Sequence, residues 1–169
     1  MPLSGICTYT DVIARMADVS MATASDDDAV NAEIIDRKIL QAEDELTLDL
    51  TKKIQKIIAP YQTDAYNHTP AEIVDLITDE AKLFLNKCGV LYTISAVYEE
   101  GVNRLKFPGQ DGEAESKSLK DTAKYWKDLA CKEFESICPL LTFNQDGSST
   151  VTLLKRLLMQ QTSSVRVTF

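Results

Sequence analysis

The apolar positions of this 169-residue chain fall on helical stripes separated by polar loops. In "TYTDVIARMAD", Val12, Ile13 and Met16 recur at helical spacing and Thr10 offers a cap, so a first helix of about three turns is expected. "VSMATASDDD" reads as a polar loop whose last Asp residues suit a helix N-terminus, where exposed backbone N–H groups attract negative charge. From Val30 to Ile58 the positions Ile35, Ile39, Ala42, Leu46, Leu50, Ile54 and Ile57 step by three or four. They mark one face of a helix about 40 Å long at 1.5 Å per residue, unbroken until Pro60. That length outspans a compact domain of this size, so part of the helix is expected to lie against a neighbour or protrude.

"APYQTDAYNHTP" is a loop, and its end starts the next helix: Thr69 as cap, Pro70 at the first helical position, and Glu72 three residues after the cap to close a capping box. One stripe then runs through Ile73, Ile77, Ala81, Phe84, Cys88, Leu91, Ser95 and Tyr98. Within "GVLYTISAVY" the β-branched residues leave a strand open, although the unbroken stripe favours a continued helix with a local bend. "KFPGQDGEAES" is a further loop. Beyond it Leu119, Ala123, Trp126, Ala130, Phe134 and Ile137 form the buried stripe of a helix that Pro139 ends. Lys120, Lys124, Lys127, Asp128, Lys132 and Glu135 occupy its outer face as exposed pairs, each worth roughly a few tenths of a kcal/mol.

After Pro139 the pattern changes. "LLTF" and "TVTLL" flank the turn-like "NQDGSS", which predicts a short β-hairpin. The tail "KRLLMQQTSSVRVTF" is basic and apolar, with no acid after Asp146, and its leucines need a surface to bury them. The chain therefore reads as mainly α: a bundle of about four helices over residues 1–138, then a β-hairpin and an extended C-terminal tail over residues 139–169 that docks on a partner.

Composition adds one soluble-domain-sized core, with 44% hydrophobic and 26% charged residues. No apolar run reaches the roughly 18 residues of a membrane helix, and "MPLSGICTYT" lacks a secretory layout, so an intracellular origin is expected. The net charge of −8 is carried by residues 1–50, with eleven acids against three bases, while the remainder balances. That acidity disfavours gripping nucleic acid.

Chemical motifs are sparse. Cys7, Cys88, Cys131 and Cys138 have no metal-ligand spacing and read as free thiols; Cys131 and Cys138 share one side of a helix but lie too far apart to bond. Asp26, Asp27 and Asp28 lack the spacing and Gly of a calcium loop, so helix capping is the better account of them. The sole His, His68, sits in a loop, and nucleophile-elbow, Walker and dinucleotide patterns do not occur. Glu43 with Asp44, and Glu99 with Glu100, point in different directions on a helix, a poor geometry for shared acid–base work. Neither catalysis nor a cofactor is expected.

Four stretches, "TYTDVIARM", "DDDAVNAEIIDRKILQAEDELTLDL", "DLITDEAKLFLNKCGVLYTISAVYEE" and "SLKDTAKYWKDLACKEFESI", together resemble the head-to-tail connector, or adaptor, proteins of long-tailed bacteriophages over residues 8–138. The resemblance implies a virion neck protein made in the host cytoplasm. Its subunits would form a ring, commonly of twelve copies, between the portal protein and a downstream neck or tail protein, passing DNA transiently and without sequence preference. A closed ring needs two different sticky faces per subunit, which long helices with unequal faces supply. An acidic lumen would let DNA slide, and Asp26, Asp27, Asp28 and Glu33 are the candidate lining. The terminal extension would reach the portal through Lys155, Arg156, Leu157, Leu158, Met159, Val165, Arg166, Val167 and Phe169. The loops before the long helix and around Pro60, and the extended tail, are longer than a minimal adaptor requires. The alternative is a cytosolic helical interaction or regulatory module without a virion role, its C-terminal segment folded back on the bundle.

Overall fold

The structure, a computed structural model, describes residues 3–16, 19–23, 25–59, 70–104, 111–144, 154, 156 and 157. Among the described residues the named helices are α1 Tyr9–Ile13, α2 Val19–Thr23, α3 Asp28–Ile58, α4 Pro70–Asp75, α5 Asp79–Arg104 and α6 Asp111–Ile137, with a 3₁₀ turn at Cys138–Leu140. The mainly helical class holds, and the stripes of α3 and α6 are each one long helix.

The first helix begins earlier than its apolar spacing suggests. Thr8, not Thr10, is the cap: its hydroxyl accepts from Asp11 N while the Asp11 carboxylate accepts from Thr8 N at 2.8 Å, a reciprocal capping box. The helix that follows has 5 residues, shorter than expected. A second short helix, α2, occupies part of the segment expected to be loop. The capping role of the Asp run is borne out, since Asp27 Oδ1 accepts from Ala29 N at 2.8 Å and Val30 N at 3.4 Å. Such a cap contributes about 1 kcal/mol.

Every position of the α3 stripe from Ile35 to Ile57 is buried within the same chain. At 31 residues the helix is about 46 Å long, yet its buried side chains run from Asn31 to Ile57, so it lies against its own chain along its length and does not protrude. The α5 stripe needs two corrections. What reads as one helix from Pro70 is two, because residues 76–78 leave the helix to pair with residues 142–144. Ile77 forms an antiparallel bridge with Phe143, Thr78 N donates to Thr142 O at 3.0 Å, and Asn144 N donates to Leu76 O at 2.6 Å. Thr78 then restarts the helix by accepting from Ala81 N through its hydroxyl at 3.2 Å. The restart sets the register so that Leu85, not Phe84, is buried.

From Cys88 to Tyr98 every residue of α5 is buried. The β-branched run is therefore helical because it forms the central rod, covered by α3 on one side and α6 on another, where a helix is apolar all round. Two apolar clusters result. One gathers Leu46, Leu50, Ile73, Leu85, Leu91 and Phe134; the other gathers Val12, Ile35, Ile94, Val97 and Leu119, and half-buried Trp126 packs against both.

An N-terminal segment with no periodic signal completes the first cluster. Leu3 and Ile6 are buried, Leu3 N donates to Thr47 Oγ1 at 2.9 Å, and Ile6 N donates to the buried Glu43 Oε1 at 2.8 Å. Asn86 Nδ2 donates to Ile6 O at 2.8 Å.

The core also continues past residue 138: Cys138, Leu141, Phe143, Leu154 and Leu157 all belong to the first cluster. The first arm of the expected hairpin pairs with residues 76–78, and Leu154, assigned to its second arm, is helical. Residues 145–153 of that hairpin, the Thr69 cap and the loop at Pro60 lie outside the described residues.

Candidate functional site

Of the residues assigned to portal docking, Arg156 is helical and exposed, whereas Leu157 is packed into the chain's own core. Leu157 is thus occupied at home. Lys155, Leu158, Met159, Val165, Arg166, Val167 and Phe169 lie outside the described residues. Asp26, Asp27, Asp28 and Glu33 are all exposed at the start of α3, with Asp27 engaged as the cap.

The polar groups that the fold does bring together form a seam across α3, α5 and α6. Glu45, Asp49 and Lys53 are spaced by four on α3, and Lys127, Cys131 and Glu135 are spaced by four on α6. Lys127 pairs with Glu45 and Lys53 pairs with Glu135, both pairs 82 residues apart. Between them Tyr92 of α5 donates to Asp49 Oδ2 at 2.8 Å and lies 3.9 Å from Cys131 Sγ, while Lys127 Nζ sits 4.4 Å above its ring. Burial, with the Asp49 hydrogen bond, pushes the Tyr92 hydroxyl well above the usual phenol range. It stays a neutral donor, so the seam binds three helices together. Lys127 and Glu135 therefore reach across to α3 rather than pairing within α6 as expected.

A second knot joins α3 to the end of α5. Lys38 Nζ lies 3.1 Å from Glu100 Oε2, and Arg37 Nη2 and Arg104 Nε lie 3.2 and 3.4 Å from Oε1. The Lys38 hydrogen bond, aided by the neighbouring positive charges, holds the Glu100 carboxyl below its ordinary 4.5 despite opposition from partial burial. Because the folded value is the lower one, its stabilisation is fully present above pH 4.5 and is lost as pH falls through the folded value. Glu100→Gln should lower the thermal midpoint at pH 7, and its deficit against the parent should shrink as the pH drops below about 4.5. A deficit that stays constant from pH 7 to 3 would assign the loss to packing instead.

The thiols divide cleanly. Burial pushes Cys7 up to about 11 and Cys88 and Cys138 up to about 12, whereas Cys131 is exposed. In the native chain a maleimide should add once, at Cys131, as read by peptide mass, with the other three reacting only in denaturant. Rapid native modification of Cys88 would contradict the packing of α5.

Large apolar side chains also stand in solvent. Leu40 and Leu48 on the outer face of α3 are 63% and 52% exposed. Leu83 and Phe84 near the start of α5 and Leu140 after α6 are 76%, 51% and 54% exposed. A groove lined by Glu99 and Asn103 of α5 and Lys120 and Lys124 of α6 is open and mixes both charges. Among the described residues no group of acids, thiols or imidazoles has the arrangement of a metal site, and no helix is long and apolar enough to cross a membrane.

The seam and the N-terminal segment were invisible to stripe analysis, since both depend on partners from other elements. The recurring charges at spacing four on the rims of α3 and α6 were the available signal. Compared with protein-family models, curated proteins and solved structures, the chain matches none.

Proposed function

We propose that this chain works by being bound, as a structural subunit of a larger protein assembly, and that the assembly is the head-to-tail neck of a long-tailed bacteriophage virion. In that role it is a non-catalytic adaptor. Copies of it close a ring between the portal and the next neck or tail component, and DNA passes through the ring without sequence-specific contact.

The observation that carries the reading is the pair of separated exposed apolar sets, Leu40 with Leu48 on α3 and Leu83 with Phe84 and Leu140 where α5 begins and α6 has ended. A head-to-tail ring contact joins two different surfaces of the same subunit, and two such sets meet that requirement. The buried stripes do not serve, because the chain covers them itself. The acidic start of α3, with Asp26, Asp28 and Glu33 exposed, suits a lumen that repels the DNA backbone.

Light scattering of the chain mixed with portal protein tests this. A stable co-complex is expected, weakened by Leu40→Asp together with Leu48→Asp while the helical circular dichroism is unchanged. A monomer indifferent to portal would overturn the virion role. It would leave the second reading, a helical interaction module whose C-terminal segment folds back, which the burial of Leu154 and Leu157 in the chain's own core favours.

A further inference from the structure

The outer face of α3 carries a ridge of residues four apart, Asp36, Leu40, Asp44, Leu48, Lys52 and Lys56, all exposed. Each step of four advances about 6 Å and turns about 40°, so these side chains form one continuous line on a single helix. The charges beside the ridge are used inside the chain: Lys38 pairs with Glu100, Glu45 with Lys127 and Lys53 with Glu135. Those on the ridge are not. Among the described residues Asp36, Asp44, Lys52 and Lys56 enter no ion pair, and they divide by sign, acids before Leu48 and bases after it.

We infer that this ridge is a contact between two copies of the chain, crossing antiparallel about a two-fold axis at Leu48. The order of the residues selects that occupant. An axis at Leu48 sets the leucine against its own counterpart, and because Asp44 and Lys52 stand four residues to either side, each Asp44 meets the Lys52 of the second copy. The two-fold repeats the pair, so two ion pairs flank one apolar centre. One step further out, the aliphatic stem of Lys56 lies over the second copy's Leu40. A parallel pairing would set Asp44 against Asp44 and Lys52 against Lys52, so charge fixes the orientation. Ridges of this spacing align when two helices cross at about −50°, the commonest packing class. A single crossing buries little area, which makes the pair weak and concentration-dependent. The inference goes beyond the adaptor reading: a two-fold contact is complete with two copies and cannot propagate round a ring, so the pair is a state of the free chain.

Sedimentation equilibrium of the full chain tests the pairing and its register together. The parent should populate a dimer that weakens as salt is raised. Asp44→Lys alone and Lys52→Asp alone each bring like charges together twice, and each should raise the dissociation constant on the order of tenfold. Mixed in equal amounts, the two variants again offer each other opposite charges, so they should pair about as tightly as the parent. The double variant, Asp44→Lys with Lys52→Asp, should do the same. Both positions are exposed, so the circular dichroism should be unchanged in every protein. A parent that stays monomeric up to about 1 mM would overturn the inference. Single variants that dimerise like the parent would overturn it too. So would a mixture that pairs no better than either variant alone, by assigning the loss to net charge or to a different surface.

Discussion

Gly101→Ala should destabilise the protein, although alanine is the better helix former by about 1 kcal/mol. A β-carbon at Gly101 would lie 2.3 Å from Ala22 O and 3.3 Å from Leu119 Cδ1. The first obstacle is backbone, so α2 must move away from α5 or α5 must bend. Overpacking of this kind typically costs about 1–3 kcal/mol, and here the rigid obstacle outweighs the gain in propensity. We expect a clear fall in the urea midpoint with an unchanged slope. Gly89→Ala is the internal comparison, because its β-carbon would meet Ile6 Cγ2 at 2.9 Å, a side-chain atom of the N-terminal segment that can shift. Its loss should be smaller. A stabilised Gly101→Ala protein would mean that α2 does not pack on α5 as described.

Leu154→Ala should cost about 2–5 kcal/mol, the usual range for deleting a fully buried leucine. Leu154 has no solvent exposure and sits with Leu157 among Leu141, Phe143 and Cys138 in the larger cluster. If residues 139–169 formed an arm independent of the helices, the same substitution would leave the unfolding midpoint almost unmoved. Equilibrium denaturation of the full chain distinguishes the two outcomes. The consequence for truncation is direct: a chain cut before Leu154 loses two core side chains, whereas one cut after Leu157 keeps them.

The stripes of α3 and α6 were legible because a period of three and four is a one-dimensional signal, and every apolar position assigned to α3 from Ile35 to Ile57 is buried. The end of α6 at Ile137 was legible for the same kind of reason, since Pro139 cannot continue the ladder. The break between α4 and α5 was hidden because Ile73, Ile77 and Ala81 keep a four-residue step across it. Only the Thr78-Asp79-Glu80 cap signature recorded the restart. Tertiary pairing with residues 142–144 decides the geometry there, and a local pattern cannot contain it. Leu3 and Ile6 escaped notice because a short extended segment has too few apolar residues to show a period. The exposed leucines, on which the interaction reading depends, fell outside the stripes and so carried no sequence signal of their own.

The Glu45–Lys127 and Lys53–Glu135 rungs share one numerical offset, and Tyr92 bridges Asp49 and Cys131 midway at that same offset. Inserting a single residue into α3 between Glu45 and Lys53, or into α6 between Lys127 and Glu135, would swing everything downstream by about 100° and unmesh half the ladder. A seven-residue insertion, close to two whole turns, would restore the face but slide the downstream rungs by about 10 Å along the axis, so only insertions of that size matched in both helices would keep the teeth engaged. These two helices are therefore locked in length to each other, and natural variation in chain length should accumulate elsewhere.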